Sequence, residues 1–252
     1  MRKPLFTSLA LGCGAVLGLV SLAAEAIPIH PNIVDLSGAA GGATWTSDPI
    51  GDPHGTVSLS GWEFDNGAWT PAIMSYKSGS AAETGLGVFC NQTPAGNACG
   101  EDEIGSTPWQ MIDMDISQFT NWYSLTINLG SINGDNQGDE TGYLVGASCQ
   151  LGGTCTSSML ANPNILGSCT DYGQAGNQTC TFNFTESDLS GITDIWITPS
   201  LTNQGGRSDG NILLGGDMTL YTPVPEPATW GMFGLGTLLI GLFAALRRRE
   251  AD

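Results

Sequence analysis

Apolar and polar residues alternate with a period of two through most of the middle of the chain. Trp122, Ser124, Thr126 and Asn128 oppose Tyr123, Leu125, Ile127 and Leu129, the pattern of a strand with one face in a core. In the segment from Trp109 to Ile116, Trp109, Met111 and Asp113 face one way and Ile112, Met114 and Ile116 the other. That predicts a strand buried at its start and wetter towards Asp113. Further strands are predicted from Val57 onward, over 68–76 with a break at Pro71, and over 86–90, 143–147, 180–184, 192–198 and 217–222. A single short helix is expected at 185–189, with Thr185 as its cap and Asp188 where a capping box prefers Glu. Short strands between glycine-rich turns predict an all-β fold, an antiparallel β-sandwich. Long connections such as 129 to 143 favour a jelly-roll-like order over an immunoglobulin-like one.

The pattern changes at both ends. Arg2 and Lys3 precede an uncharged, mostly apolar stretch, and Ala24 and Ala26 flank Glu25 as a small-x-small cleavage site. Residues 1–26 read as a signal peptide, leaving Ile27 as the mature start. At the other end an uncharged run of nineteen residues, 228–246, is followed by Arg247, Arg248 and Arg249. As a helix it would rise about 28 Å, close to the thickness of a bilayer's hydrocarbon, and the arginines favour a cytoplasmic end. Between these segments, 27–223 forms one extracytoplasmic domain, long enough for one sizeable core.

Before the apolar run stands Pro225-Glu226-Pro227, whose prolines keep the backbone extended and poor in hydrogen bonds. The order Pro225-Glu226-Pro227, apolar helix, Arg247 to Arg249 resembles the PEP-CTERM sorting signal of Gram-negative exported proteins. The resemblance covers residues 224–252. It implies an inner-membrane intermediate, recognition by a membrane-embedded exosortase after signal peptidase has acted, removal of the tail, and display at the cell surface or release. It also implies a frequent association with exopolysaccharide, and it assigns no chemistry to the passenger domain. The stretch Gly85-Leu86-Gly87-Val88, then Glu101-Asp102-Glu103-Ile104 and the strand from Met111, is loosely similar to passenger domains of this class.

Between Ile27 and Pro223 twenty acidic residues face only Lys77 and Arg207, a net charge of −18. Such a surface repels nucleic acid and anionic lipid, and it attracts cations. The six cysteines of this region, Cys90, Cys99, Cys149, Cys155, Cys169 and Cys180, read as disulfides in an oxidising compartment. Nearest-neighbour pairing, Cys90–Cys99, Cys149–Cys155 and Cys169–Cys180, is the expected set among fifteen possible ones.

Two oxygen-rich loops are candidates for calcium or are plain solvated turns. One holds Glu101, Asp102 and Glu103; the other holds Asp135, Asp139 and Glu140. Trp62 and Trp69, near Glu63, Asp65 and Asn66, are candidates for a glycan-stacking surface or for core packing. Catalysis finds little support. Asp52 and His54 lack a recognisable nucleophile beside them, and His30 stands alone near the mature start. Asp113 and Asp115 share a strand face about 7 Å apart, a spacing that also arises by chance in an acidic sandwich. The sequence therefore predicts a non-enzymatic surface or matrix component of structural or adhesive role, linked to exopolysaccharide or biofilm. A carbohydrate-binding module is the main alternative and a glycoside-acting enzyme a distant one.

Overall fold

Period-two alternation becomes two stacked antiparallel sheets. The computed structural model describes residues 29–50, 55–89, 103–106, 108–132, 140–151, 155, 162–170, 178–201 and 211–223. Its strands are β1 (Ile29–Asp35), β2 (Thr44–Thr46), β3 (Ser58–Asp65), β4 (Ala68–Ala72), β5 (Met74–Lys77), β6 (Gly85–Val88) and β7 (Gln110–Asp115). They continue with β8 (Ser124–Ile132), β9 (Thr141–Ala147), β10 (Asn164–Thr170), β11 (Gln178–Thr185), β12 (Asp194–Thr198) and β13 (Leu213–Pro223). One sheet runs β11-β8-β13-β6-β5, with β1 also on β13; the other runs β10-β9-β12-β7-β3-β2, with β4 on β3.

The strands from β6 to β13 carry the jelly-roll order. They run β6-β13-β8-β11 in the first sheet and β7-β12-β9-β10 in the second. Each step along the chain crosses between the sheets except β9 to β10, which pair as neighbours. Crossing at each step is why the connections are long and why few tight hairpins occur.

The interior is filled by inward alternates of both sheets, among them Leu59, Leu86, Ile112, Met114, Leu125, Ile127, Leu129, Ile195, Ile197, Leu214, Met218 and Leu220. On β8 the predicted alternation holds from Ser124 onward: Leu125, Ile127 and Leu129 are buried, and Ser124, Thr126 and Asn128 are half-buried. It fails just before the strand, where Trp122 is buried and Tyr123 is 55% exposed, because the chain has not yet entered the ladder.

Three expectations are corrected. The break in 68–76 falls at Ile73, where the chain leaves β4 on the second sheet for β5 on the first. Pro71 is accommodated inside β4, opposite Trp62, because β4 pairs with β3 alone and a missing N–H on its free edge costs no ladder bond. The expected helix at 185–189 is a turn that follows β11. Asp188 still reaches back to accept the Thr185 N–H at 2.7 Å, so half of the capping box forms without a helix to cap. The face of β7 bearing Asp113 is buried, as described below.

Two of the nearest-neighbour disulfides form, Cys149–Cys155 and Cys169–Cys180, with Cα separations of 5.6 and 6.1 Å; Cys90 and Cys99 lie outside the described residues. Cys169 sits on β10 and Cys180 on β11, outermost strands of the two sheets. This bridge therefore staples the sandwich along one side. Gly167 leaves room there, since a Cβ on it would come within 2.5 Å of the Phe182 ring. Replacing both Cys169 and Cys180 with alanine is expected to cost about 2–3 kcal/mol, by freeing the unfolded chain. Urea denaturation of the double variant, beside wild type with and without reductant, measures it. An unchanged midpoint would show that the staple carries no stability.

Candidate functional site

The second sheet buries both of its faces. Its outer face carries Trp109, just before β7, and Met111 of β7, Val145 and Ala147 of β9, and Trp196 of β12, with Trp62, Phe64, Trp69 and Tyr143 packed round them. Leu151, inside the loop closed by Cys149–Cys155, packs on this layer and is 4% exposed. Leu151 thus covers a second core.

Trp62 and Trp69 belong to this layer, both half-buried. Trp69 meets Phe64 at 5.2 Å and Trp109 at 4.9 Å between ring centroids, with planes tilted by 64° and 59°. Edge-to-face packing of this kind locks rings against one another. A sugar-stacking platform needs parallel faces open to solvent, so the geometry here is that of a core. The Trp62 indole N–H donates to Ser60 Oγ at 2.8 Å, and the Trp109 N–H donates to Thr198 Oγ1 and to the Ser200 carbonyl, both at 3.0 Å.

Asp113 lies in the same layer, 1% exposed. Its Oδ2 accepts the Leu151 N–H at 2.9 Å, while Oδ1 is buried without a hydrogen-bond partner. Burial pushes its pKa up to about 8; the Leu151 N–H opposes the rise, the charges of Asp194 and Asp115 add to it, and the Trp196 indole opposite on β12, too far for a full hydrogen bond, opposes it weakly. Asp194 faces Asp115 across the β12–β7 ladder. Burial raises its pKa too, against a hydroxyl hydrogen bond from Thr193 and with the Asp115 charge. Asp113 at neutral pH is therefore a protonated acid sealed beneath Leu151, and the Asp113–Asp115 pair does not flank an open cleft. Asp194 went unrecognised in the sequence, although a carboxylate heading the apolar run Ile195-Trp196-Ile197 was the signal that could have found it.

The first acidic loop is also redrawn. Glu103 is buried, and its Oε1 receives Lys77 Nζ at 2.6 Å and the Ser131 hydroxyl at 2.6 Å. Lys77 also contacts Glu83 at 2.5 Å. Ser131 sits at φ +57°, a backbone state a serine adopts at some cost, and there its hydroxyl meets Glu103. For Lys77, burial pulls the pKa down, but the hydrogen bonds and charges of Glu103 and Glu83 outweigh it and hold the ammonium above its ordinary value. Glu103 is thus an ion-pair partner, not a solvated ligand. Glu101, Asp102, Asp135 and Asp139 lie outside the described residues, as do Asp52 and His54; Glu140 is half-buried just before β9, and His30 is exposed on β1. Among the described residues no group of three or more His, Cys, Asp or Glu side chains is placed to hold a metal ion. Ala24, Ala26, Pro225, Glu226, Pro227 and Arg247 to Arg249 are likewise outside the described residues.

The end of β13 meets a recognisable sequence. Residues 223–249 match the PEP-CTERM protein-sorting motif, so the sandwich carries the sorting signal of an exported protein that is membrane-anchored before processing. No curated protein sequence matches the chain. Among solved structures, the K2 cleaved adhesin domain of Lys-gingipain is similar at 12% identity and a TM-score of 0.39, over 76% of this chain and 99% of that one. The K1 cleaved adhesin domain of Lys-gingipain from Porphyromonas gingivalis W83 is similar at 13% identity and a TM-score of 0.33, over 76% and 97%.

Proposed function

We infer that the chain is a non-catalytic component of the cell surface or extracellular matrix of a Gram-negative bacterium, with a structural or adhesive role tied to exopolysaccharide or biofilm. The observation that carries this reading is the sorting motif beginning at Pro223, the last residue of a disulfide-stapled sandwich. A body braced by disulfides suits an oxidising exterior, and a strongly acidic surface suits a hydrated matrix that must not clump. Signal peptidase and an exosortase are its processing partners. The sealed position of Asp113 speaks against glycoside chemistry, which needs two carboxylates open to substrate.

Intact-mass analysis of protein recovered from exosortase-positive and exosortase-deficient cells tests the reading. The exported form is expected to end before Arg247 in the first strain, and the full tail is expected to persist in the membrane fraction of the second. Mature surface copies that all retain Arg247 to Arg249 would overturn it.

A further inference from the structure

Midway along β13 the ladder is irregular between Leu214 and Met218. Up to Gly215 the strand is paired with β6; from Asp217 onward it is paired with β1. Beside this irregular stretch of β13 lies a groove of about 470 Å³, within the roughly 300–1,000 Å³ range of small-ligand clefts. Tyr76, Asn128, Thr179, Gly215, Gly216 and Asp217 are among its lining residues. Gly215 is required, because a Cβ on it would come 2.8 Å from Asn128 Cβ; one on Gly216 would come 2.7 Å from the Tyr76 hydroxyl and push that side chain aside. The close approach sets an aromatic hydroxyl beside bare backbone at the groove wall.

We propose that this groove is a binding site for a neutral saccharide, one or two pyranose units of an exopolysaccharide chain. The lining argues for that class. The Tyr76 and Thr179 hydroxyls and the Asp217 carboxylate have no hydrogen-bond partner among the described residues, so their capacity is free for ligand hydroxyls. Asn128 is held in place by the Thr181 hydroxyl, which donates to its Oδ1 at 2.7 Å, and its amide N–H₂ completes a mixed donor and acceptor set. No cation is among the described residues that line the groove, and Asp217 contributes negative charge, which disfavours uronates, sulfated sugars and phosphates. The walls mix polar and apolar surface in about equal measure, which suits the amphipathic faces of a pyranose better than a wholly apolar ligand. This site is separate from the tilted aromatic layer of the other sheet, where Trp62 and Trp69 reside.

The inference rests on the surface and matrix reading only in its choice of exopolysaccharide as ligand. The exported, processed protein is titrated calorimetrically with cellohexaose, laminarihexaose, maltohexaose, neutral exopolysaccharide from the producing cells, and an alginate hexamer as the anionic comparison. At least one neutral ligand is expected to bind with a Kd of about 1 mM or tighter, and the alginate hexamer not to bind. Thr179→Trp, which fills the groove from its rim, and Asp217→Ala are each expected to weaken binding by about tenfold or more with the melting temperature preserved. Absence of binding by every neutral ligand, preference for alginate, or full binding by both variants would overturn the proposal. Those results leave the mass analysis of tail removal untouched, and failure of tail removal leaves the calorimetry untouched, so the two readings fail separately.

Discussion

Asp113→Asn raises stability at pH 8 and removes much of the protein's pH dependence between about pH 4 and 8. The sign follows from proton counting. In the unfolded chain Asp113 ionises near its ordinary value of 3.8, whereas burial holds the folded acid protonated up to about 8. Between those values the folded state binds the extra proton, so stability falls as pH rises. The full titration corresponds to on the order of 6 kcal/mol at about 1.4 kcal/mol per unit, an upper bound once the Leu151 cover relaxes or water enters. Asparagine keeps an acceptor for the Leu151 N–H and carries no proton to lose. A gain of roughly 2–5 kcal/mol is therefore expected at pH 8 and little at pH 4. Asp194 retains a smaller slope of the same sign, because burial also raises its pKa. Thermal melts of both proteins across this range measure the effect; parallel curves for wild type and Asp113→Asn would refute the account.

Lys77→Met destabilises the sandwich by about 3–5 kcal/mol at pH 7. Lys77 lies between Glu83 and Glu103, whose side chains are 21% and 9% exposed. Without the ammonium, two carboxylates face each other with no counter-charge, and the Ser131 hydroxyl alone cannot neutralise Glu103. In wild type this ion pair contributes fully below the lysine's ordinary value of 10.5 and fades as pH rises through the higher folded value. The triple variant Lys77→Met, Glu83→Gln, Glu103→Gln is expected to recover most of the loss. Urea denaturation of the single and triple variants at pH 7 distinguishes these cases, and a loss below about 0.5 kcal/mol for Lys77→Met would show that the pair is a solvent-screened surface contact.

Much of the architecture was legible because alternation reports which side of a strand is buried. Ser124 to Leu129, Cys180 to Phe184 and Ile195 to Ile197 all declare strands through residues with strong apolar or β-branched character. The strands that escaped notice, β1, β2 and β10, lie at the margins of the sheets. Ile29 to Asp35 is largely exposed and contains Pro31, and Asn164 to Thr170 is weakly buried and contains Gly167. Edge strands bury little, so they leave little periodic signal. The sites were harder to read. A wet end was predicted for β7 because Asp113 is charged in water, and only the loop bearing Leu151, distant in sequence, reveals that it is covered. Lys77 was visible as a rare cation, yet its partners lie six and twenty-six positions away. The groove is not legible in the sequence, since it is made where side chains are missing, beside the irregular stretch of β13.

The placement of β13 has a mechanical consequence. Pro223 is opposite Ile29, and the strand lies between β8 on one side and β6 and β1 on the other. Any pull transmitted through the residues after Pro223 enters the body along the axis of an eleven-residue strand at the heart of its sheet. Such a load shears rows of ladder bonds together instead of peeling them singly, so the attachment point is a firmer handle than an edge strand would give. A tether joined there would hold under drag that would strip an edge strand away.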